Sequence, residues 1–191
     1  MSKDRLEAFS DGVIAILITI MVLELRAPPR AAWTALLPLL PVFLSYGLSF
    51  VYLAIYWNNH HHLLQAIERV DGRVLWANTH LLFWLSLIPF VTAWMGENHF
   101  APRPVALYVL VLLLAAVAYY LLTRALLALH GGDSVLARAL GRDVKGKVSP
   151  VIYLVAIPVA LVVPWLACAL YVLVTVMWLV PDRRIEKTLA R

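Results

Sequence analysis

The side chains best equipped for chemistry in this sequence fall in two places. Residues 5 to 25 read RLEAFSDGVIAILITIMVLEL, so that Arg5, Ser10 and Asp11 stand directly ahead of an apolar run that Glu24 closes. Residues 57 to 62 read WNNHHH, with His60, His61 and His62 side by side. An arginine and an aspartate can pair, a serine can donate and accept, and an imidazole can bind metal, carry protons or lean on a carboxylate. Adjacent residues on a helix point about 100° apart, so three neighbouring histidines cannot all ligate one ion without help from elsewhere. An enzyme site needs nucleophile, base or metal groups that converge, and the histidine run has no carboxylates at ligand spacing. The residues therefore point away from an enzyme and call for no cofactor.

The elements that must position these groups are membrane spans. Of 191 residues, 63% are hydrophobic and 14% charged, against about 45–50% and about 25% in a soluble domain. Residues 1–191 form a single all-α integral membrane domain, with spans at about 8–25, 36–62, 74–96, 104–129, 148–163 and 165–180. A span takes about 20 apolar residues. The run 148–180 is too long for one untilted span, and Pro164 removes a backbone donor where a tight turn between two short helices would fall; five spans is the alternative. The loop 130–147, HGGDSVLARALGRDVKGK, is polar and glycine-containing and reads as a linker.

Charge tests the six-span count. Lys3, Arg5, Arg69, Arg73, Arg124, Arg138, Arg142, Lys145, Lys147, Arg183, Arg184, Lys187 and Arg191 fall on one side, and Arg26, Arg30 and Arg103 on the other. The positive-inside rule then puts both termini in the cytoplasm. The basic residues mark span ends rather than a polar face, so they signal topology and not nucleic acid. Asp11 and Glu24 bracket the first apolar stretch and no small-x-small site follows it, which argues against a cleaved signal peptide. Cys168 is the lone cysteine and lies in an apolar run, so it has no intrachain partner. Trp33, Trp57, Trp76, Trp94, Trp165 and Trp178 mostly flank spans, as interfacial anchors do. In the third span, Asn78 and Thr92 suit hydrogen bonds between helices, and Pro89 suits a kink.

Between Asp11 and Glu24 lie 12 residues, which rise about 18 Å as a helix against a hydrocarbon core of about 30 Å. Such a helix is short for contact with lipid and suits a central position, where other helices shield its polar ends. On it Ile16, Thr19, Ile20 and Leu23 recur at i, i+3, i+4 and i+7 and form one stripe. That stripe is either a packing seam or, with copies of the helix around an axis, a pore wall whose aliphatic rings gate by dewetting while Thr19 supplies hydroxyls. Spacing does not separate the two.

The stretch also resembles the first helix of the transmembrane protein 175 family of potassium channels, which carries R-x-x-x-F-S-D ahead of an aliphatic helix. Arg5, Phe9, Ser10 and Asp11 match it, and YWNNHHH, ANTHLLFWLSLIPFVTAW and WLVPDRR match more loosely. The single six-span copy resembles the prokaryotic branch. The resemblance implies a homotetramer in a cell membrane, with the first helix of each subunit lining a central pore for potassium ions. It implies constrictions at Ile16, Ile20 and Leu23 and a hydroxyl layer at Thr19; Ile20 stands where leucine is expected. It further implies a structural role for Arg5, Phe9, Ser10 and Asp11 at the cytoplasmic end of the pore helix. Trp57 and one of His60 or His61 would pack against that cluster, and His62 would reach the interface.

The competing function is a secondary or proton-coupled transporter. Carriers usually show internal repeats, broken helices and charges near the bilayer midplane, whereas here the span interiors are nearly free of charge and the FSD stretch occurs once. No T-V-G-Y-G segment occurs either, so potassium preference would rest on side-chain rings rather than a loop of carbonyls.

Overall fold

A computed structural model describes residues 2–132, 134–140 and 144–179. Arg142, the tail residues Arg183, Arg184, Lys187 and Arg191, Val180 at the end of the sixth expected span, and most of WLVPDRR lie outside the described residues. The helices are α1 (Lys3–Leu23), α2 (Leu40–Gln65), α3 (Gly72–Ser86), α4 (Ile88–Glu97), α5 (Pro102–His130), α6 (Val135–Leu140), α7 (Val144–Val162) and α8 (Pro164–Leu179), with a 3-10 segment Trp33–Leu39 ahead of α2. Five stretches, Lys3–Leu23, Trp33–Gln65, Gly72–Glu97, Pro102–His130 and Val144–Val162, are long and apolar enough to cross a membrane, and α8 is a shorter apolar helix. The chain is a multi-pass, all-helical membrane protein.

The boundaries differ from expectation where backbone chemistry intervenes. α1 begins at Lys3 and carries the whole polar motif on helix. The third span is interrupted at Leu87, because Pro89 lacks the N–H that would continue the ladder and instead serves the first turn of α4. α7 and α8 are separated by Val163 alone, with Pro164 opening α8. The loop after α5 contains one short helix, α6.

α5 is the hub. It packs against α3, α4, α7 and α8, and Val105, Tyr108, Val109, Leu112, Ala115 and Ala118 along it are buried. α1 packs on α2, α3 and α4. α2 and α4 approach so closely that a Cβ on Gly96 would collide with Ser45 Oγ and lie 2.9 Å from Val42 Cα. Two further contacts tie the elements beneath the polar cluster. Asp71 caps α3 by accepting from the Val74 N–H at 2.9 Å. His130 Nε2, at the end of α5, accepts from the N–H groups of Glu68 and Arg69 at 3.2 Å each, which pins the loop between α2 and α3.

Candidate functional site: the two faces of the first helix

On α1 the residues Leu6, Ser10, Ile14, Leu17 and Met21 are buried, at the spacing of one helical face. This face, with the flanking Glu7 and Asp11, meets α2 and α3.

Ser10 Oγ donates to the Leu6 carbonyl at 2.8 Å and accepts from Asn78 Nδ2 at 2.9 Å. Asn78 Oδ1 lies 2.7 Å from His60 Nε2. The single proton of Ser10 is spent on Leu6, so Asn78 must present its amide to Ser10 and its oxygen to His60. His60 then donates through Nε2–H and keeps the lone pair on Nδ1. Ser10, His60 and Asn78 are fully buried, so each bond is made away from water, where losing a partner costs about 1–3 kcal/mol. The chain Leu6–Ser10–Asn78–His60 joins three helices.

Beside it runs a more exposed layer. Trp57 Nε1 donates to Asp11 Oδ1 at 3.0 Å. The Trp57 ring stacks on His61 with centroids 5.8 Å apart and planes 15° from parallel. His61 Nδ1 lies 2.9 Å from Glu7 Oε1, at an angle too oblique for a hydrogen bond, so it acts as an ion pair when the ring is protonated. Its Nε2 is 2.8 Å from Gln65 Nε2. Both His60 and His61 therefore serve the cluster, on different partners, because they project about 100° apart. His62 is half-buried and its ring lies 5.8 Å from that of His61. Among the described residues no group of three histidine, cysteine or acidic side chains is arranged to hold a metal ion.

Arg5 and Phe9 do not join this network. They occupy the opposite, exposed face of α1, and among the described residues Arg5 has no ion-pair partner. The same outward face carries Ile16, Thr19, Ile20 and Leu23: Ile16 is 57%, Ile20 41% and Leu23 75% exposed in the single chain. The stripe is thus not a packing seam within the subunit. Thr19 Oγ1 donates to the Ile16 carbonyl at 2.9 Å, which spends its proton and leaves its oxygen lone pairs outward.

Sequence reasoning treated Asn78 as general interhelical glue and did not single out Glu7. Glu7, Ser10, Asp11 and Ile14 recur at i, i+3, i+4 and i+7, a periodicity that would have placed Glu7 on the cluster's flank.

A family model described as endosomal/lysosomal potassium channel TMEM175 matches residues 5–89, which contain both faces of α1, the histidines and Asn78. The chain is 50% identical over 189 residues to a potassium channel of a Chryseobacterium species, covering 99% of this chain and 98% of that protein. It is 31% identical over 116 residues to the human endosomal/lysosomal proton channel TMEM175, covering 54% of this chain and 23% of that protein. Among solved structures it is similar to the crystal structure of a lysosomal potassium-selective channel TMEM175 homolog from Chamaesiphon minutus, with a TM-score of 0.80 at 27% identity over 94% of this chain and 97% of that one. The chain belongs to the TMEM175 potassium-channel family, a family of ion channels, as a single-repeat member of its prokaryotic branch.

Proposed function

We propose that four copies of the chain assemble around an axis lined by α1, and that the assembly conducts potassium ions passively through rings of Ile16, Ile20 and Leu23 with a hydroxyl layer at Thr19. The observation that carries this reading is the exposure of that stripe on a helix whose other face is fully committed to its own subunit. Facing lipid is a poor use of it, because only 12 residues separate Asp11 from Glu24 and a bilayer core of about 30 Å would bury one of them. Facing an axis, the aliphatic rings form constrictions that exclude water and control conduction by wetting. Thr19, its proton engaged, offers four oxygens to a cation at one level.

The polar cluster is then a brace. Ser10, Asn78 and His60 fix the rotation of α1 about its own axis, and Trp57 on Asp11 fixes its lower end, so the stripe is held towards the centre. Arg5 and Phe9 sit on the pore-facing side at the mouth. The Lys/Arg distribution orients both termini to the cytoplasm.

The test is potassium and sodium flux in liposomes, comparing the parent with Ile16→Asn and Leu23→Ala. A polar ring at 16 wets the constriction, so Ile16→Asn raises flux and moves the potassium-to-sodium ratio towards one. Saturating, proton-coupled uptake untouched by either substitution would instead support a carrier. The name of the human relative makes proton flux the measurement to run alongside.

A further inference from the structure

Away from α1, a cleft opens between α2, α5, α7 and α8. It encloses about 520 Å³ counting its open mouth, and its walls include Tyr52, Tyr56, Asn59, Ser149, Tyr153 and Trp178. Among the described residues none of those lining it is charged; Lys145 stands at the rim, its Nζ 6.0 Å from the centre of the Trp178 ring.

Only the contacts among the cleft's tyrosine hydroxyls are long; elsewhere on its wall Trp178 Nε1 donates to Ser149 Oγ at the ordinary 2.9 Å. Ser49 and Tyr108 are 2.8 Å apart, and Thr92 donates to Ser49 at 2.7 Å, the usual length for hydroxyl pairs. Lining the cleft, Tyr153 reaches the Tyr52 oxygen at 3.4 Å and Tyr52 reaches that of Tyr56 at 3.5 Å, close to the limit at which such a bond ceases to count. Asn59 spends its amide on the Ile55 carbonyl at 2.8 Å, and among the described residues its Oδ1 has no donor. Three buried phenols loosely joined, beside a spare amide oxygen, leave hydrogen-bonding capacity that a further hydroxyl would complete.

We propose that this cleft binds a small uncharged amphiphile carrying a hydroxyl, an alcohol or a phenol. The hydroxyl sits at the Tyr52–Tyr56–Asn59 end, and the apolar body lies against the aromatic faces, Ile55 and Ala116. A charged ligand is disfavoured at the phenol end because none of the described residues lining it carries a charge, Lys145 standing away beside Trp178. A bare acyl chain is disfavoured because it would leave the phenols unsatisfied. The site is independent of conduction along α1.

The experiment is fluorine NMR of 4-fluorophenol with the full chain in lipid nanodiscs, with fluorobenzene and 4-fluorobenzoate as comparisons and empty nanodiscs for partitioning. The proposal expects saturable 4-fluorophenol binding, at least about threefold tighter than either comparison, which Ala116→Trp removes and Tyr56→Phe weakens about three- to tenfold. Tyr56→Phe keeps the ring and so tests the hydroxyl with the shape intact; Ile55→Trp replaces Ala116→Trp if the latter fails to fold. Linear uptake matching empty nanodiscs, equal binding of fluorobenzene, or saturable binding that survives filling of the cleft would overturn it.

Discussion

At the residue scale, the decisive group is Asn78. Its amide and carbonyl each hold a buried partner, Ser10 on one helix and His60 on another, so replacing it with leucine strands a buried imidazole N–H and alters the surroundings of Ser10. We expect Asn78→Leu to cost about 2–4 kcal/mol, two buried bonds at 1–2 each, read as a lowered midpoint of thermal unfolding in detergent. Trp57→Phe removes one indole donor from Asp11 at a half-exposed position and costs about 0.5–1.5 kcal/mol, so its midpoint should fall much less than that of Asn78→Leu. These roles were only partly legible in the sequence. The types Ser, Asp, Trp and His announced a polar cluster, and adjacency on a helix argued against a site built from the three histidines alone. Which imidazole met which partner depended on where α3 crosses α2, and no local pattern encodes a crossing. The outward placement of Arg5 and Phe9, by contrast, follows from helical periodicity once Ser10 is known to be buried.

At the element scale, apolar runs of span length revealed the long helices, because the bilayer imposes the length and the backbone must satisfy itself internally. Interruptions were harder to read. Pro89 suited a kink, yet it opens a new helix after a break at Leu87, whereas Pro158 lies within α7 without ending it. The residue type alone does not distinguish the two outcomes. Gly96 illustrates the same point: on α4 it reads as a helix-weakening residue, but it is what allows α4 to lie against Ser45 and Val42 of α2. Gly96→Ala should separate that pair and destabilise the protein by about 1–3 kcal/mol as overpacking, although alanine is the better helix former. A rise in the unfolding midpoint of Gly96→Ala would show that the close approach is not maintained.

At the scale of the whole molecule, a single copy of the motif per chain means that any pore formed around α1 needs several chains. Four are proposed, and native mass spectrometry from mild detergent should give four times the 21.4 kDa of the chain. The stripe's composition and period were visible in the sequence, but its direction was not: a seam and a pore wall share one spacing. Packing within the subunit rules out only a seam inside it, since α1 spends Leu6, Ser10, Ile14, Leu17 and Met21 inward and leaves Ile16, Thr19, Ile20 and Leu23 without cover; that this open face lines a pore is the proposal. The most direct test is silver-ion block of potassium flux through Leu23→Cys in a Cys168→Ser background, with Val172→Cys on the exposed side of α8 as the lipid-facing control. The account predicts rapid loss of flux for Leu23→Cys and none for Val172→Cys. Flux through Leu23→Cys that persists in silver, with the thiol shown to be modified, would contradict a pore lined by the first helix.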